Sequence, residues 1–227
     1  MKGIFVTGTN TNVGKTQVAT LLARELQKHK ISVVPRKPVE SGCIVDGNEL
    51  IPQDAIALKN AAGYSGSLAQ VCPFRFEPPI SPVRAAHLAD QALTTEKVAQ
   101  ACFSNINEEK DFLLVEGAGG FYSPLCEDGL NADLAEALKL SVILVAEDRL
   151  GCINDVLLSV QAIQSRELNL VAIILNQTKV ADHNPYMNNE DDLKDLINYP
   201  VFNIPYLQQN TSFSLPEKLL SIILDKT

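Results

Sequence analysis

The chain has 227 residues, 46% of them hydrophobic and 20% charged, with a formal net charge of −8. That balance is ordinary for a globular protein. The negative charge argues against a general nucleic-acid-binding surface, so any anionic ligand has to be held by a local field that opposes the global one. Five scattered cysteines, Cys43, Cys72, Cys102, Cys126 and Cys152, form no C-x-x-C pair. Their spacing gives neither a zinc framework nor a secreted disulfide scaffold, and an odd number fits a reducing cytosol. The opening MKGIFVTG reaches a glycine too soon for a signal peptide, and no apolar run is long enough to span a bilayer. A soluble, cytoplasmic protein is expected.

In chain order, Ile4–Thr7 (IFVT) predicts a first strand, and Lys15–His29 a helix with Val18, Leu21, Leu22 and Leu26 on one face. Ser32–Arg36 (SVVPR) predicts a second strand, whose Pro35 indicates a sheet edge or a strand end. Helices are predicted over Asp54–Ala62 and Thr94–Asn107, and the proline-rich Phe74–Pro82 (FRFEPPISP) between them reads as a surface loop. Phe112–Glu116, Ser141–Glu147 and Val171–Asn176 are nearly unbroken apolar runs, the mark of strands buried on both faces of a parallel sheet. Helices over Asn131–Leu140, Asn154–Arg166, Glu190–Asn198 and Pro216–Leu224, with a short strand Val201–Ile204, complete the pattern. Strands alternating with helices predict an α/β fold with a doubly wound, mostly parallel sheet and helices on both faces, in one domain spanning residues 1–227.

The first strand runs into Gly8–Thr16, GTNTNVGKT. A phosphate-binding loop reads G-x-x-x-x-G-K-[ST]: its backbone N–H groups and the following helix start converge on an anion, the lysine adds a point charge, and the hydroxyl ligates Mg²⁺. Gly14, Lys15 and Thr16 satisfy the second half, but Thr9 stands where the first glycine belongs and Gly8 is one residue early. The motif alone is compatible with a nucleotide site or with a strand–turn–helix junction that happens to contain GKT.

Open α/β sheets bind ligands beyond the carboxyl ends of their strands, and other strand ends carry candidates. Lys37 follows SVVPR and is held extended by Pro38, so it points into the crevice unless it is a solvated surface charge. Glu116 ends FLLV and precedes the turn Gly117-Ala118-Gly119-Gly120; it is either the acid near Mg²⁺ or a solvated strand end. Asp54, in a first helical turn, is either a ligand or a carboxylate favoured by the helix dipole. Asn176 ends VAIIL and could read a purine edge or cap a turn. Gly151, Cys152 and Asn154 open a helix whose free N–H groups could receive a carboxylate.

Together FVTGTNTNVGKT, KPVESG, VEGAGG, ILVAEDRLGCIN and ILNQ resemble the dethiobiotin synthetase family over essentially the whole chain. Gly8-Thr9 is that family's own loop opening, so the displaced glycine stops counting against nucleotide binding. The resemblance implies a P-loop NTPase fold, ATP as co-substrate and Mg²⁺ held by Thr16, Asp54 and Glu116. It also implies a reaction that carboxylates 7,8-diaminononanoate with CO₂ and closes a cyclic urea. It assigns catalysis to Lys15 and Lys37, and the phosphates to Asn12, Val13, Gly14, Lys15, Thr16 and Gln17 with Glu116, Gly117, Ala118 and Gly119. Asn176, Gln177, Pro205, Tyr206 and Leu207 would border the adenine, and Ser41 would hold the diamine or its carbamate. Gly151, Cys152 and Asn154 would bind the substrate's far carboxylate across the interface of a homodimer. Two positions depart from the family: Asn10 and Asn12 stand where Asp and Glu are common. Glu40, where small or polar residues are usual, faces either an amine of the substrate or solvent, and solvent is the expected case. The competing readings are a partitioning or division-site ATPase switch, whose loop carries an extra lysine where this chain has Asn10, and another ligase that activates a carboxylate with ATP.

Overall fold

A computed structural model describes residues 1–179, 186–208 and 213–226. Strand β1 (Gly3–Gly8) leads through the glycine-rich loop into helix α1 (Lys15–Lys28) and strand β2 (Ser32–Arg36). A small excursion follows: β3 (Val39–Ser41), the hairpin β4 (Ile44–Asp46) and β5 (Glu49–Ile51), α2 (Gln53–Ala61), α3 (Leu68–Val71), β6 (Phe74–Phe76) and α4 (Pro82–Leu88). The chain then runs through α5 (Thr95–Phe103), β7 (Asp111–Glu116), the short pair β8 (Pro124–Cys126) and β9 (Gly129–Leu130), and α6 (Asn131–Leu138). It closes with β10 (Ser141–Glu147), α7 (Cys152–Ser165), β11 (Leu170–Asn176), α8 (Asn189–Leu196), β12 (Val201–Ile204) and α9 (Glu217–Lys226).

The main sheet has the order β12-β11-β10-β1-β7-β2, and every pairing in it is parallel. The predicted central strands all lie in it, and Pro35 sits on its edge strand β2 as its missing N–H requires. Alternate residues feed two cores, because successive side chains of a strand point to opposite faces. Ile4 and Val6, with Phe112 and Leu114, pack beneath α1, α2 and α9. Phe5, with Leu113 and Val115, packs against α5, α6 and α7 on the other face. The connections leave β1 toward β2 and β7 on one side and toward β10 to β12 on the other, so the crevice at the switch point opens where β1 ends. Among the described residues no helix is long and apolar enough to cross a membrane.

Two expectations are corrected. Phe74–Pro82 is not wholly a surface loop: Phe74–Phe76 pairs in parallel with β3, Phe76 is buried, and Pro82 opens α4. The predicted helix Thr94–Asn107 stops at Phe103, with Asn105 in the left-handed region at φ 55°. Its free carbonyls have an unusual partner. Arg36, 0% exposed, donates from Nε to Cys102 O (3.1 Å) and from Nη2 to Ser104 O (2.5 Å), while Nη1 reaches Pro35 O (3.0 Å). The guanidinium also lies 5.8 Å from the ring centroid of Tyr64. Replacing it with an apolar side chain of similar length leaves buried carbonyls unpaired, so Arg36→Met is expected to cost about 2–4 kcal/mol in urea unfolding; a change under about 0.5 kcal/mol would refute the cap.

Candidate active site

At the end of β1 the chain turns through Asn12, at φ 60°, and Gly14, at φ 91°, before α1 begins. Asparagine is among the few non-glycine residues that tolerate this region. At Gly14 a Cβ would also collide with the Asn176 side-chain amide. Among the described residues no side chain caps α1, which leaves its first N–H groups for an anion. Asn176, 0% exposed at the end of β11, donates from Nδ2 to Val13 O at 3.1 Å and so braces the loop from beneath. That bond fixes the amide orientation and makes Oδ1 an acceptor. Gln177 Oε1 receives the Tyr206 N–H at 3.3 Å, which places the ends of β11 and β12 side by side.

The loop, β3, the start of α2 and the end of β7 line a cavity of about 680 Å³. Its lining includes the expected Asn12, Gly14, Lys15, Thr16, Lys37, Ser41, Asp54, Glu116, Ala118 and Gly119. It also includes Glu40, which was expected at the surface, and Pro79–Pro82, Ser123 and Pro124, to which no site role was assigned from the sequence. Lys37 Nζ lies 2.6 Å from Glu116 Oε1 and 3.3 Å from Asp54 Oδ2. The Thr16 hydroxyl donates to the same Glu116 oxygen at 2.7 Å. Burial works against the Lys37 ammonium, but the Glu116 and Asp54 charges outweigh it and raise its pKa. Among the described residues Lys15 has no such pairing: its Nζ rests on Asn10 O at 2.9 Å. Burial, then the Lys37 charge, pulls its pKa down to about 8.

Glu40 is the clearest surprise. It is buried, not solvent-facing, and accepts the N–H groups of Asp54 and Ala55 at the start of α2. Burial raises its carboxyl pKa, and those backbone bonds pull against the rise. The expected carboxylate clamp lies elsewhere: Gly151, Cys152 and Asn154 do not line this cavity, and the Cys152 N–H is taken by Arg149 O at 3.1 Å.

Four buried side-chain atoms have no partner among the described residues: Thr7 Oγ1, Gln17 Nε2, Glu116 Oε2 and Asn176 Oδ1. All four belong to the strand ends and helix start around the loop. Buried polar groups are otherwise nearly always paired, so the cluster marks a place prepared for a polar ligand.

The fold and these strand-end groups define a P-loop nucleotide-binding protein, and the sequence matches the family described as AAA domain over residues 2–212. The protein named ATP-dependent dethiobiotin synthetase BioD of Vesicomyosocius okutanii is 36% identical over 224 residues, covering 99% of this chain and 98% of that one. Its namesake in Ruthia magnifica is 37% identical over 224 residues, covering 99% of both. The chain therefore belongs to the ATP-dependent dethiobiotin synthetase family. The fold is shared more widely. The septum site-determining protein MinD of Pyrococcus horikoshii, solved with Mg-ADP, superposes with a TM-score of 0.54 at 15% identity, covering 90% of this chain and 81% of that one.

Lys15 yields a stability prediction. Its folded pKa of about 8 lies below the ordinary 10.5, so below pH 8 the folded protein carries a desolvated charge that the unfolded chain hydrates. Between about pH 8 and 10.5 the unfolded state holds more protons, and stability rises with pH. In nucleotide-free urea unfolding, Lys15→Met is expected to be more stable than the parent at pH 7 by up to about 3 kcal/mol. The gap should close as the pH approaches 10; a less stable variant at pH 7 would refute the assignment.

Proposed function

We infer that this protein is an ATP-dependent ligase that converts 7,8-diaminononanoate, CO₂ and ATP to dethiobiotin, ADP and phosphate. The observation that carries the reading is the convergence of Lys15, Lys37, Asp54 and Glu116 on one cavity in a chain that matches relatives named for this synthetase from end to end.

One amine of the diamine adds to CO₂ and loses a proton, giving a carbamate. A carbamate oxygen attacks the γ-phosphorus of ATP and ADP departs. The second amine attacks the carbonyl carbon of the mixed anhydride; phosphate leaves, the nitrogen sheds its proton, and the urea ring closes. Carbamate and triphosphate are both anions, so positioned positive charge is what the barrier demands. Lys15 leaves the Asn10 carbonyl for the phosphates, the Asn12–Gln17 amides wrap them, and Ala118 and Gly119, which follow Gly117 in the turn, line the same cavity. Lys37 stands between γ-phosphate and carbamate, and Ser41 orients the diamine.

Thr16, Asp54 and Glu116 offer only oxygen donors, and Glu116 Oε2 is buried without a partner, so the residues fit Mg²⁺. Among the described residues no group of three or more His, Cys, Asp or Glu side chains could hold a metal. A hydroxyl and two carboxylates, completed by phosphate oxygens, is a set that suits this ion. When bound, Mg²⁺ supplies charge neutralisation to the β- and γ-phosphates. At the base, Asn176 Oδ1 can only accept, which suits the amino group of adenine and not the carbonyl of guanine; Gln177 and Pro205–Leu207 flank it. We assign the substrate's far carboxylate to the Gly151–Asn154 helix start of a second copy, which makes the working enzyme a homodimer, and its setting the cytoplasm. With Cys152 N–H turned to Arg149 O, the Gly151 and Asn154 amides are the main candidates in that clamp.

The test is phosphate release with Mg·ATP and bicarbonate, with and without 7,8-diaminononanoate. Strict dependence on the diamine is expected; release without it would favour a nucleotide switch. Lys37→Ala should lose about 3–4 kcal/mol of transition-state stabilisation, read as a fall in kcat of roughly two to three decades. An unchanged kcat with only a raised KM would overturn that role. Sedimentation at assay concentration should give a dimer, and an active monomer would remove the cross-copy clamp.

A further inference from the structure

Helix α2 starts without a cap of its own. Its N-cap residue is Pro52, whose side chain offers no acceptor, and no side-chain cap bond is made there. The N–H groups that an N-cap Ser or Asp ordinarily takes are those of the second and third helical residues. Here they go to Glu40 on β3, fourteen residues before Asp54: Asp54 N–H donates to Oε1 and Ala55 N–H to Oε2, each at 3.0 Å. One carboxylate thus spans two consecutive orphan donors at the positive end of the helix.

That placement needs a reason. Glu40 is 6% exposed and lines the same cavity as Asp54 and Glu116. A third carboxylate in a phosphate-binding cavity is unfavourable, and Lys37 is already engaged by the other two. The two amide bonds and the helix end absorb the charge of Glu40. Between Glu40 and α2 lies the β4–β5 hairpin, whose Ile44 and Val45 are 55% and 50% exposed. The carboxylate therefore closes the neck of a solvent-facing excursion that separates Ser41 from Asp54.

We propose that Glu40 is a positioning residue that caps α2 across this neck and thereby fixes the Asp54 carboxylate in front of Lys37. The proposal rests on the reading of Asp54 as part of the nucleotide–metal site. It predicts that the cap is replaceable: an acceptor at the N-cap itself would do the same work, whereas a carboxylate that contacted substrate could not be replaced from there.

The test compares the parent with Glu40→Ala, Glu40→Gln and the double variant Glu40→Ala/Pro52→Ser. Amide hydrogen exchange is measured without nucleotide or metal, and diamine-dependent phosphate release is titrated with Mg²⁺. In Glu40→Ala, exchange at Asp54 and Ala55 should accelerate about tenfold. The Mg²⁺ needed for half-maximal turnover should rise several-fold while KM for the diamine holds. Adding Pro52→Ser should restore both. Glu40→Gln keeps one acceptor oxygen and should fall between; if Glu40→Ala does not fold, this variant decides by the same two readouts. Unchanged exchange would overturn the proposal, and so would a raised diamine KM that Pro52→Ser leaves uncorrected. Absence of diamine-dependent turnover in the parent would instead sink the synthetase reading, while the exchange arm would still report on the cap.

Discussion

Lys37 and Glu116 leave the ends of neighbouring parallel strands and meet at 2.6 Å, with side chains 5% and 0% exposed. Neither charge could be buried there alone, since an unpaired ion loses its hydration without return. The pair therefore ties the ends of β2 and β7, and it does so at the mouth of the crevice. Glu116 also takes the Thr16 hydroxyl, which ties in α1, and Lys37 also reaches Asp54, which ties in α2. Four elements from distant parts of the chain converge through this one contact. The Asn176 brace under Val13 then holds the loop from the opposite side of β1.

The charge distribution follows from the same arrangement. A chain with net charge −8 holds an anion only if its cations are placed and its anions are occupied. Glu116 and Asp54 are engaged by Lys37, and Glu40 is engaged by a helix start, so Lys15 is left with a carbonyl as its hydrogen-bond partner. Lys15 is thus held in a state that disfavours folding. Among the described residues, the unpaired polar atoms of Thr7, Gln17, Glu116 and Asn176 carry a similar cost in stability.

Much of this was legible in the sequence, and the reasons differ by element. The central strands announced themselves because residues buried on both faces read as continuous apolar runs. The loop was recognisable from Gly14-Lys15-Thr16, and KPVESG with VEGAGG resolved its displaced glycine. Lys37, Asp54 and Glu116 were ambiguous one by one, because burial of a charge depends on a partner that only the tertiary fold supplies. Glu40 was misjudged for the same reason: its partners are backbone N–H groups, which carry no sequence signal of their own. One clue was available, since the helix starting at Gln53 is preceded by Pro52 and lacks a capping side chain. The strand at Phe74–Phe76 was hidden by the prolines that follow it, although the F-x-F alternation was visible.

The position of Pro35 has a consequence for how copies of this protein can meet. It lies in β2, one outer strand of the sheet, while β12, the other, runs between Pro200 and Pro205. A proline cannot donate to a ladder, so neither border offers an incoming strand an uninterrupted row of donors. Growth of the sheet from one molecule into the next is discouraged on both sides. Any contact between copies is thereby steered toward helix and loop surfaces.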